Sequence, residues 1–389
     1  MTMDRLISQL PFFTEEHRNL AQSVAQFVAQ EIEPRASVED DIENLARDFV
    51  QLLARERLLS YAVAESKLDI RALCLIREEL AYSSALADLA FVMQGLGTYA
   101  IARAAPDHVR DFWLSRAASG KAIAAFALTE PNAGSDVAGI QTTARRDGDT
   151  YVIDGRKRFI SNAGIADFYL VFAKTGTRDD GRPVISAFVV GSKMHGFRVV
   201  ERTPLLAPHP IGEIAFDQCH VPAEDMVGSE GDGFKLAMET MDTFRASVGA
   251  AACGMARRAL DQAVRYSSNR KQFGRLLCEH QLVQAKLADM ITELDAARLL
   301  VYRAAYVKDS GADRITREAS EAKLFATEAA FRIIDSAVQI HGGTGLVSGT
   351  VVERLYRDVR ALRIYEGTSE IQKLVIAGQL LRERSAENG

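Results

Sequence analysis

The sequence predicts an α+β multidomain protein in which a middle β domain separates two helical domains. A chain of 389 residues corresponds to two or three domains of ordinary size. Apolar residues recur every three or four positions towards both ends, whereas short apolar runs separated by Asp-Gly pairs fill the middle. We therefore predict domains at 1–124 (helical), 125–230 (β) and 231–389 (helical).

The N-terminal segment has the composition of a helical bundle. From Thr14 to Glu33 and from Asp41 to Ala118 it is rich in Ala, Leu, Glu and Arg and poor in Gly. Thr14 is the expected N-cap of the first long helix, and Pro34 its expected stop. Taken alone, the segment fits a generic bundle equally well.

Hairpin signals mark the middle domain. Asp147-Gly148 and Asp154-Gly155 flank the short run Thr150 to Ile153, and Asp180-Gly181 precedes Val184 to Val190. Asp-Gly pairs between apolar runs are a strong local signal for β-hairpins.

The last domain contains a long amphipathic helix. Its apolar positions step by four, three, four, three and four and so lie on one stripe: Val283, Leu287, Met290, Leu294, Ala297 and Val301. This spacing indicates bundle packing, and the same period suits contact with another subunit.

Charge and composition exclude several classes of function. Lys and Arg number 47 against 52 Asp and Glu, giving a net charge of −5, so we expect no nucleic-acid partner. The N-terminal residues lack the basic stretch followed by an apolar stretch that is typical of an export signal, and no apolar run is long enough to predict a membrane span. We therefore expect a cytoplasmic protein. The four cysteines are far apart and read as reduced packing residues. His341 has no second ligand at metal spacing, so no metal is expected.

Four segments are candidates for chemistry, and three of them join glycines with polar or aromatic side chains. Phe126 to Asp136 runs from an apolar strand into a loop with Pro, Gly and hydroxyls, which suits a phosphate or a polar heterocycle, or is simply a surface turn. Asn269 to Gly274 and Gln339 to Gly345 combine arginine, an aromatic ring and glycines, without the Gly-x-Gly-x-x-Gly pattern of a Rossmann site.

The segment from Tyr365 to Gln372 places a carboxylate on a short connection before the last helix. Ser369 and Gln372 match a capping box, so that helix is expected to start here and run through Lys373 to Leu381. Glu366 then lies just outside the helix, where burial in a cleft would make it a general base. A solvated loop glutamate is the alternative.

In this order and spacing, the segments resemble the acyl-CoA dehydrogenase family of flavoproteins. The matching motifs are T-E-P-x-A-G-S-D from Thr129, R-K-Q-F-G from Arg270, Q-I-H-G-G from Gln339 and Y-E-G-T-S-E-I-Q from Tyr365. The resemblance implies an N-terminal helical bundle, a middle β-barrel or β-sandwich and a C-terminal four-helix bundle. It also implies a homotetramer built as a dimer of dimers.

The resemblance further implies FAD as cofactor. Residues expected on the flavin side are Phe126, Leu128, Thr129, Ser135, Phe159 and Ser161, with Thr368 and Glu370 near the last helix. Those expected to contact the FAD of a neighbouring subunit are Arg270, Phe273, Gln281, Gln339 and Gly343.

The reaction implied is α,β-dehydrogenation of an acyl-CoA, with Glu366 as the base and an electron-transfer flavoprotein as acceptor. The implied substrate contacts are Ser135, Asp242, Arg245, Tyr365 and Gly367. Some relatives place the base just before the matching arginine; Phe244 occupies that position here and cannot accept a proton.

Two departures from the family pattern concern the pocket. The connection from Tyr61 to Lys67 is short, and Phe159 stands where tryptophan is common. The segment from Phe91 to Gly95, which matches the floor of the acyl cavity, carries no charge. We therefore expect a short, medium or branched monocarboxylic acyl chain.

Four alternatives stay open from the sequence. They are an acyl-CoA oxidase or a flavin monooxygenase of the same fold, a dehydrogenase of acyl-carrier-protein thioesters, and a catalytically silent thioester-binding protein.

Overall fold

The computed structural model describes residues 5–63 and 67–387. Most of them form eleven α-helices and ten strands. The helices are α1 (Arg5–Gln9), α2 (Glu15–Phe27), α3 (Ile42–Arg55), α4 (Ile70–Ser83), α5 (Ala85–Ala104), α6 (Asp107–Ala118), α7 (Gly233–Ser267), α8 (Gln281–Asp309), α9 (Thr316–His341), α10 (Val351–Leu362) and α11 (Ser369–Glu387). Ala64, Glu65 and Ser66, in the shortened connection noted above, lie outside the described residues.

The strands form one large sheet and one small hairpin. They are β1 (Ala124–Ala127), β2 (Thr143–Asp147), β3 (Thr150–Ser161), β4 (Phe168–Thr177), β5 (Pro183–Gly191), β6 (Phe197–Arg202), β7 (Ile211–Pro222), β8 (Met226–Val227), β9 (Lys271–Gln272) and β10 (Arg275–Leu276). The large sheet runs in the order β6-β7-β3-β2-β4-β5-β8, with β1 parallel to β4, and β9 pairs with β10.

By its internal contacts the chain divides into two compact units. The helical unit comprises Met1–Ser37, Asp69–Asp88 and Asp242–Gly389, and the sheet unit comprises Val38–Leu68 and Leu89–Met241. The helices α5 and α7 contribute residues to both units.

The hairpin predictions are confirmed at two of the three Asp-Gly pairs. Asp147 pairs with Thr150 across a tight turn between β2 and β3, and Asp180-Gly181 lies in the turn between β4 and β5. The prediction is wrong for Asp154-Gly155, which lies inside β3 at an irregularity in the register with β7. Gly155 has φ +147°, and a Cβ there would lie 2.5 Å from Thr142 Oγ1, so this glycine permits a bulge rather than a turn.

The core of the sheet unit lies against one face of the sheet. Phe168, Leu170 and Phe172 alternate along β4 and pack in one apolar cluster with Val189 of β5 and Leu114 of α6. The alternation follows from the two-residue period of a strand. This cluster fixes β1 beside β4 and hence the loop that follows β1.

The first long helix starts where the sequence predicts, and the helical stretch ends one residue after Pro34. It begins at Glu15 after Thr14 and continues through a π turn (Val28–Ile32) into a 3₁₀ turn (Glu33–Arg35) that contains Pro34. In the helical unit, Gly254 of α7 is so close to α4 that a Cβ would lie 2.1 Å from the Glu78 carbonyl oxygen. Glycine is therefore required for this helix crossing.

The apolar stripe on α8 is only partly covered. Met290, Leu294, Ala297 and Val301 are buried, but Val283 and Leu287 near the start of the helix are partly exposed. The stripe is therefore bundle core over its second half.

The helix α5 has the length and hydropathy that a membrane span requires, and 78% of its apolar stretch is buried inside the protein. Gln94 in this helix donates hydrogen bonds to the carbonyl oxygens of Ala117 and Ala122 and accepts one from the Ala124 N–H. These contacts tie the helix to the start of β1.

Candidate active site

The connection between α10 and α11 presents Glu366 in a strained backbone conformation. Glu366 has φ +53° and the following Gly367 has φ +89°. The left-handed region is unfavourable for a residue with a side chain, so neighbouring groups must hold Glu366 there.

Two side chains hold this connection through hydrogen bonds to its carbonyl oxygens. Lys323 Nζ of α9 donates a hydrogen bond of 2.7 Å to the Gly367 carbonyl oxygen. Gln372 Nε2 of α11 donates to the carbonyl oxygens of Glu366 and Gly367, each at 3.1 Å. A Cβ on Gly367 would lie 2.4 Å from Gln372 Nε2, so the glycine lets this amide approach.

The last helix starts where the sequence predicts, but its cap is different. The Ile371 N–H donates to Thr368 Oγ1 at 3.3 Å, which makes Thr368 the N-cap. Ser369, the expected cap, instead donates its hydroxyl hydrogen to Glu328 Oε1 at 2.6 Å. The predicted capping box is therefore wrong by one residue. Glu370 lies exposed in the first turn.

The carboxylate of Glu366 is poorly solvated. Its Oε2 is buried and has no hydrogen-bond partner among the residues that the structure describes. Burial raises the pKa of Glu366 above its ordinary value, and the positive charges of Arg77, Lys323 and Arg245 oppose that rise, whereas Asp88 adds to it. A carboxylate with a raised pKa and an unused oxygen is suited to accept a proton.

The buried ion pair of Arg77 and Asp88 was not predicted from the sequence. The Arg77 Nε and Nη2 donate to the two Asp88 oxygens at 2.7 and 2.8 Å, and Nη1 donates to Ser247 Oγ at 2.8 Å. The positive charge of Arg77 therefore acts on Glu366, although the segment from Phe91 to Gly95 contains no charged residue. That positive charge is balanced by Asp88.

Asp242 and Arg245, two of the expected substrate contacts, both lie on α7. Arg245 is buried, and its charge acts on Glu366 and Lys323. Asp242 is paired with Arg245 and accepts a hydrogen bond of 2.8 Å from Thr316 Oγ1. Phe244 is fully buried.

Tyr365, the residue before Glu366, is acted on by the charges of Arg77 and Asp88 as well. Burial raises the pKa of its hydroxyl well above the ordinary tyrosine value. It therefore stays protonated at physiological pH.

In the sheet unit, the loop after β1 is held against β3. The Arg158 N–H donates to the Thr129 carbonyl oxygen at 2.9 Å, and Asn162 Nδ2 donates to the Ala124 carbonyl oxygen at 2.9 Å. These bonds bring two predicted groups of flavin contacts together: Phe126, Leu128 and Thr129 from β1 and its loop, and Phe159 and Ser161 from β3.

A buried lysine adds further bonds between β3 and the loop that follows β1. Lys157 Nζ donates to the Leu128 carbonyl oxygen at 3.1 Å and forms an ion pair of 2.8 Å with Glu130. Burial lowers the pKa of Lys157 to about 8. Burial pushes the pKa of Glu130 up, but Lys157 and the N–H groups of Gln141 and Thr142 hold it below its usual value.

The groups exposed where the loop after β1 meets β3 are compatible with a bound flavin. Phe159 has φ +55° and half of its surface is exposed, which leaves an aromatic face free. Ser135 is exposed, and no atom of the described residues lies within 4 Å of a Cβ built on Gly134. Ser161 Oγ lies 3.3 Å from His209 Nε2, and burial lowers the pKa of that histidine to about 4. Hydroxyls that can donate hydrogen bonds, an exposed aromatic ring and a glycine that allows close approach are compatible with binding of an extended FAD.

The residues predicted to reach a neighbouring FAD are all exposed. Phe273, at the tip of the β9–β10 hairpin with φ +52°, has 94% of its surface exposed. The rings of Tyr266 and His341 stack with centroids 4.3 Å apart, which brings the end of α7 beside the end of α9. The exposed residues of this group are Arg270, Phe273, Gln281, Gln339 and Gly343.

Comparison with known families identifies the class. The models of the acyl-CoA dehydrogenase N-terminal, middle and C-terminal domains match residues 14–121, 125–219 and 231–381. The chain belongs to the acyl-CoA dehydrogenase family. Membership makes it an FAD-dependent oxidoreductase that acts on a CH–CH bond of acyl-CoA thioesters, as the sequence predicts.

Individual relatives span nearly the whole chain. A 3-(aryl)acrylate reductase of Clostridium sporogenes is 40% identical, over 95% of this chain and 100% of its own. The structure of butyryl-CoA dehydrogenase from Megasphaera elsdenii is 34% identical, with a TM-score of 0.88, and covers 95% of this chain and 99% of its own. An acyl-CoA dehydrogenase complexed with FAD from Bacillus anthracis is 28% identical, with a TM-score of 0.87, over 99% of this chain and 70% of its own. The predicted fold class is thereby confirmed.

Proposed function

We propose that Glu366 is the base that removes the α-proton of an acyl-CoA thioester. The observation that carries this proposal is the buried Oε2 of Glu366, which lacks a partner among the described residues and belongs to a carboxylate with a raised pKa. FAD, when bound, supplies the acceptor for the β-hydride. The backbone N–H of Glu366 is the proposed donor to the thioester carbonyl, where negative charge develops.

The proposed substrate is a short, medium or branched monocarboxylic acyl chain. Support comes from the ion pair of Arg77 with Asp88, which balances the charge of that arginine, and from the apolar segment from Phe91 to Met93. Butyrate and arylacrylate in the names of two relatives are of this size. The substrate contacts proposed are Ser135, Asp242, Arg245, Tyr365 and Gly367.

The cofactor contacts proposed are those that the resemblance implies. Phe126, Leu128, Thr129, Ser135, Phe159, Ser161, Thr368 and Glu370 are proposed for the subunit's own FAD. The exposed group of Arg270, Phe273, Gln281, Gln339 and Gly343 is proposed for the FAD of a neighbour in a homotetramer, a dimer of dimers. We further propose domain limits at 1–124, 125–230 and 231–389, a cytoplasmic location and an electron-transfer flavoprotein as acceptor.

Anaerobic titration of the bound flavin tests the reaction and the substrate together. Butyryl-, isobutyryl-, octanoyl-, 3-phenylpropionyl- and glutaryl-CoA are each added to the oxidised holoenzyme, and flavin bleaching is followed by absorbance. Bleaching by a monocarboxylic thioester, with glutaryl-CoA far slower, is the expected result. A preference for glutaryl-CoA contradicts the substrate proposal, and no bleaching by any thioester contradicts the reaction.

One relative favours a second direction of the same chemistry. The Clostridium sporogenes protein is named a reductase, so reduction of an α,β-unsaturated thioester is the alternative. Adding cinnamoyl-CoA to the photoreduced holoenzyme tests it when compared with bleaching by 3-phenylpropionyl-CoA, because return of the oxidised flavin spectrum much faster than that bleaching would favour a reductase.

A further inference from the structure

Lys323 is a buried cation that the expected chemistry does not use. It lies on α9 with none of its surface exposed. An ammonium group removed from water is costly unless it is paired and hydrogen-bonded. Burial lowers the pKa of Lys323 to about 8, so the side chain is still largely protonated at neutral pH.

The hydrogen bond of Lys323 goes to the turn that carries Glu366. Its Nζ donates at 2.7 Å to the carbonyl oxygen of Gly367, 44 residues further along the chain. This carbonyl belongs to the residue that follows the left-handed Glu366, so the bond acts on the strained part of the turn.

A second side chain of the same helix holds the ends of the turn without supplying positive charge. Glu328 accepts hydrogen bonds from Arg363 Nε at 2.8 Å and from Ser369 Oγ at 2.6 Å. The turn is therefore held by α9 at its middle through Lys323 and at both ends through Glu328.

We propose that Lys323 is a positioning residue for Glu366: its ammonium holds the Gly367 carbonyl, and its charge stabilises the ionised carboxylate next to it. This inference rests on Glu366 being the base. The other charged groups acting on Glu366 are Arg77, Asp88 and Arg245, and those acting on Lys323 are Arg245, Glu328 and Glu370.

The pH dependence of flavin reduction tests the proposal. Holoenzyme is mixed anaerobically with the acyl-CoA that bleaches the wild type fastest, and the rate at saturation is measured across pH. Lys323→Gln retains a donor for the carbonyl but loses the charge. We expect the inflection of its profile to move upward by about one pH unit, with a rate about tenfold lower below the inflection.

Two further variants separate the effect of the Lys323 charge from the effect of the hydrogen bonds that hold the turn. Lys323→Arg keeps the charge, so its inflection stays at the wild-type pH while the rate falls, because the guanidinium has a different shape from the ammonium. Glu328→Gln weakens the ends of the turn and lowers the rate by one factor at every pH. A Lys323→Gln profile that matches the wild type apart from a constant factor overturns the proposal.

Failure of the inference is distinguishable from failure of the proposed base. If Glu366→Gln bleaches as the wild type does, Glu366 is not the base, and the role of Lys323 falls with it. If Glu366→Gln is inactive and Lys323→Gln keeps the wild-type inflection, only the inference is wrong. Should Lys323→Gln yield no holoenzyme, Lys323→Arg decides: a wild-type rate and inflection overturn the positioning role.

Discussion

The guanidinium of Arg77 binds the carboxylate of Asp88 through two parallel hydrogen bonds of 2.7 and 2.8 Å, and both side chains are buried. The two charges act on Glu366 in opposite directions, since Arg77 favours its ionised form and Asp88 opposes it. The pair therefore contributes to setting the pKa of the proposed base.

Replacing Asp88 with Asn tests this balance. The charge of Arg77 is then uncompensated, the ionised form of Glu366 gains stability, and its pKa falls. Because the base must be ionised to work, the inflection in the rate of flavin reduction moves to lower pH, opposite to the change expected for Lys323→Gln. Stopped-flow rates across pH measure it.

Asp261→Asn is a control for the Asp88 variant, because this carboxylate accepts a hydrogen bond of 2.8 Å from the Tyr82 hydroxyl and is not among the main charges that act on Glu366. Its inflection should match the wild type. Asp88→Asn should also lower stability by about 3–5 kcal/mol, the usual cost of breaking a buried ion pair. An inflection that stays or rises contradicts the assigned electrostatics.

Lys157→Met should destabilise the protein strongly. The Lys157 side chain is fully buried and that of Glu130 nearly so, and removing one partner leaves a buried charge, at a cost of about 3–5 kcal/mol. Urea unfolding measures the loss. Arg156→Met on the same strand is the control: its side chain is 57% exposed and paired with Glu213, so the loss should be below about 1 kcal/mol. Equal losses in both variants count against the role given to Lys157.

Arg270→Ala should release FAD and weaken the oligomer. Arg270 is exposed beside the hairpin that carries Phe273, and the proposal places both against the cofactor of a neighbour. Flavin content after gel filtration and mass by light scattering are the measurements. Lys271→Ala removes an adjacent exposed charge and should retain both properties. Full flavin content in Arg270→Ala argues against an intersubunit site.

Local signals in the sequence were sufficient for much of the fold. The Asp147-Gly148 and Asp180-Gly181 turns lie between strands that pair with each other, and Thr14 and Pro34 bound one helical stretch, so neighbouring residues decide these features. The hairpin prediction at Asp154-Gly155 was wrong because the same dipeptide also permits a bulge. Only the pairing with β7 distinguishes a bulge from a turn here.

The surroundings of Glu366 could not be predicted in the same way. Lys323 and Gly367 are 44 residues apart, and Arg77 and Ser247 are 170 apart, so no local pattern links them. The cap of α11 moved from Ser369 to Thr368 because Glu328, far back in the chain, accepts the Ser369 hydroxyl. The resemblance to a family located the proposed base, but the groups that hold it appear only in the fold.

Single-turnover reduction of the flavin in Glu366→Gln tests the central role of this carboxylate most directly. The amide keeps the size of the side chain but cannot accept the α-proton. The variant should be yellow, bind the acyl-CoA within a few-fold of the wild type, and bleach at least about 100-fold more slowly. Bleaching at the wild-type rate would show that another group removes the proton.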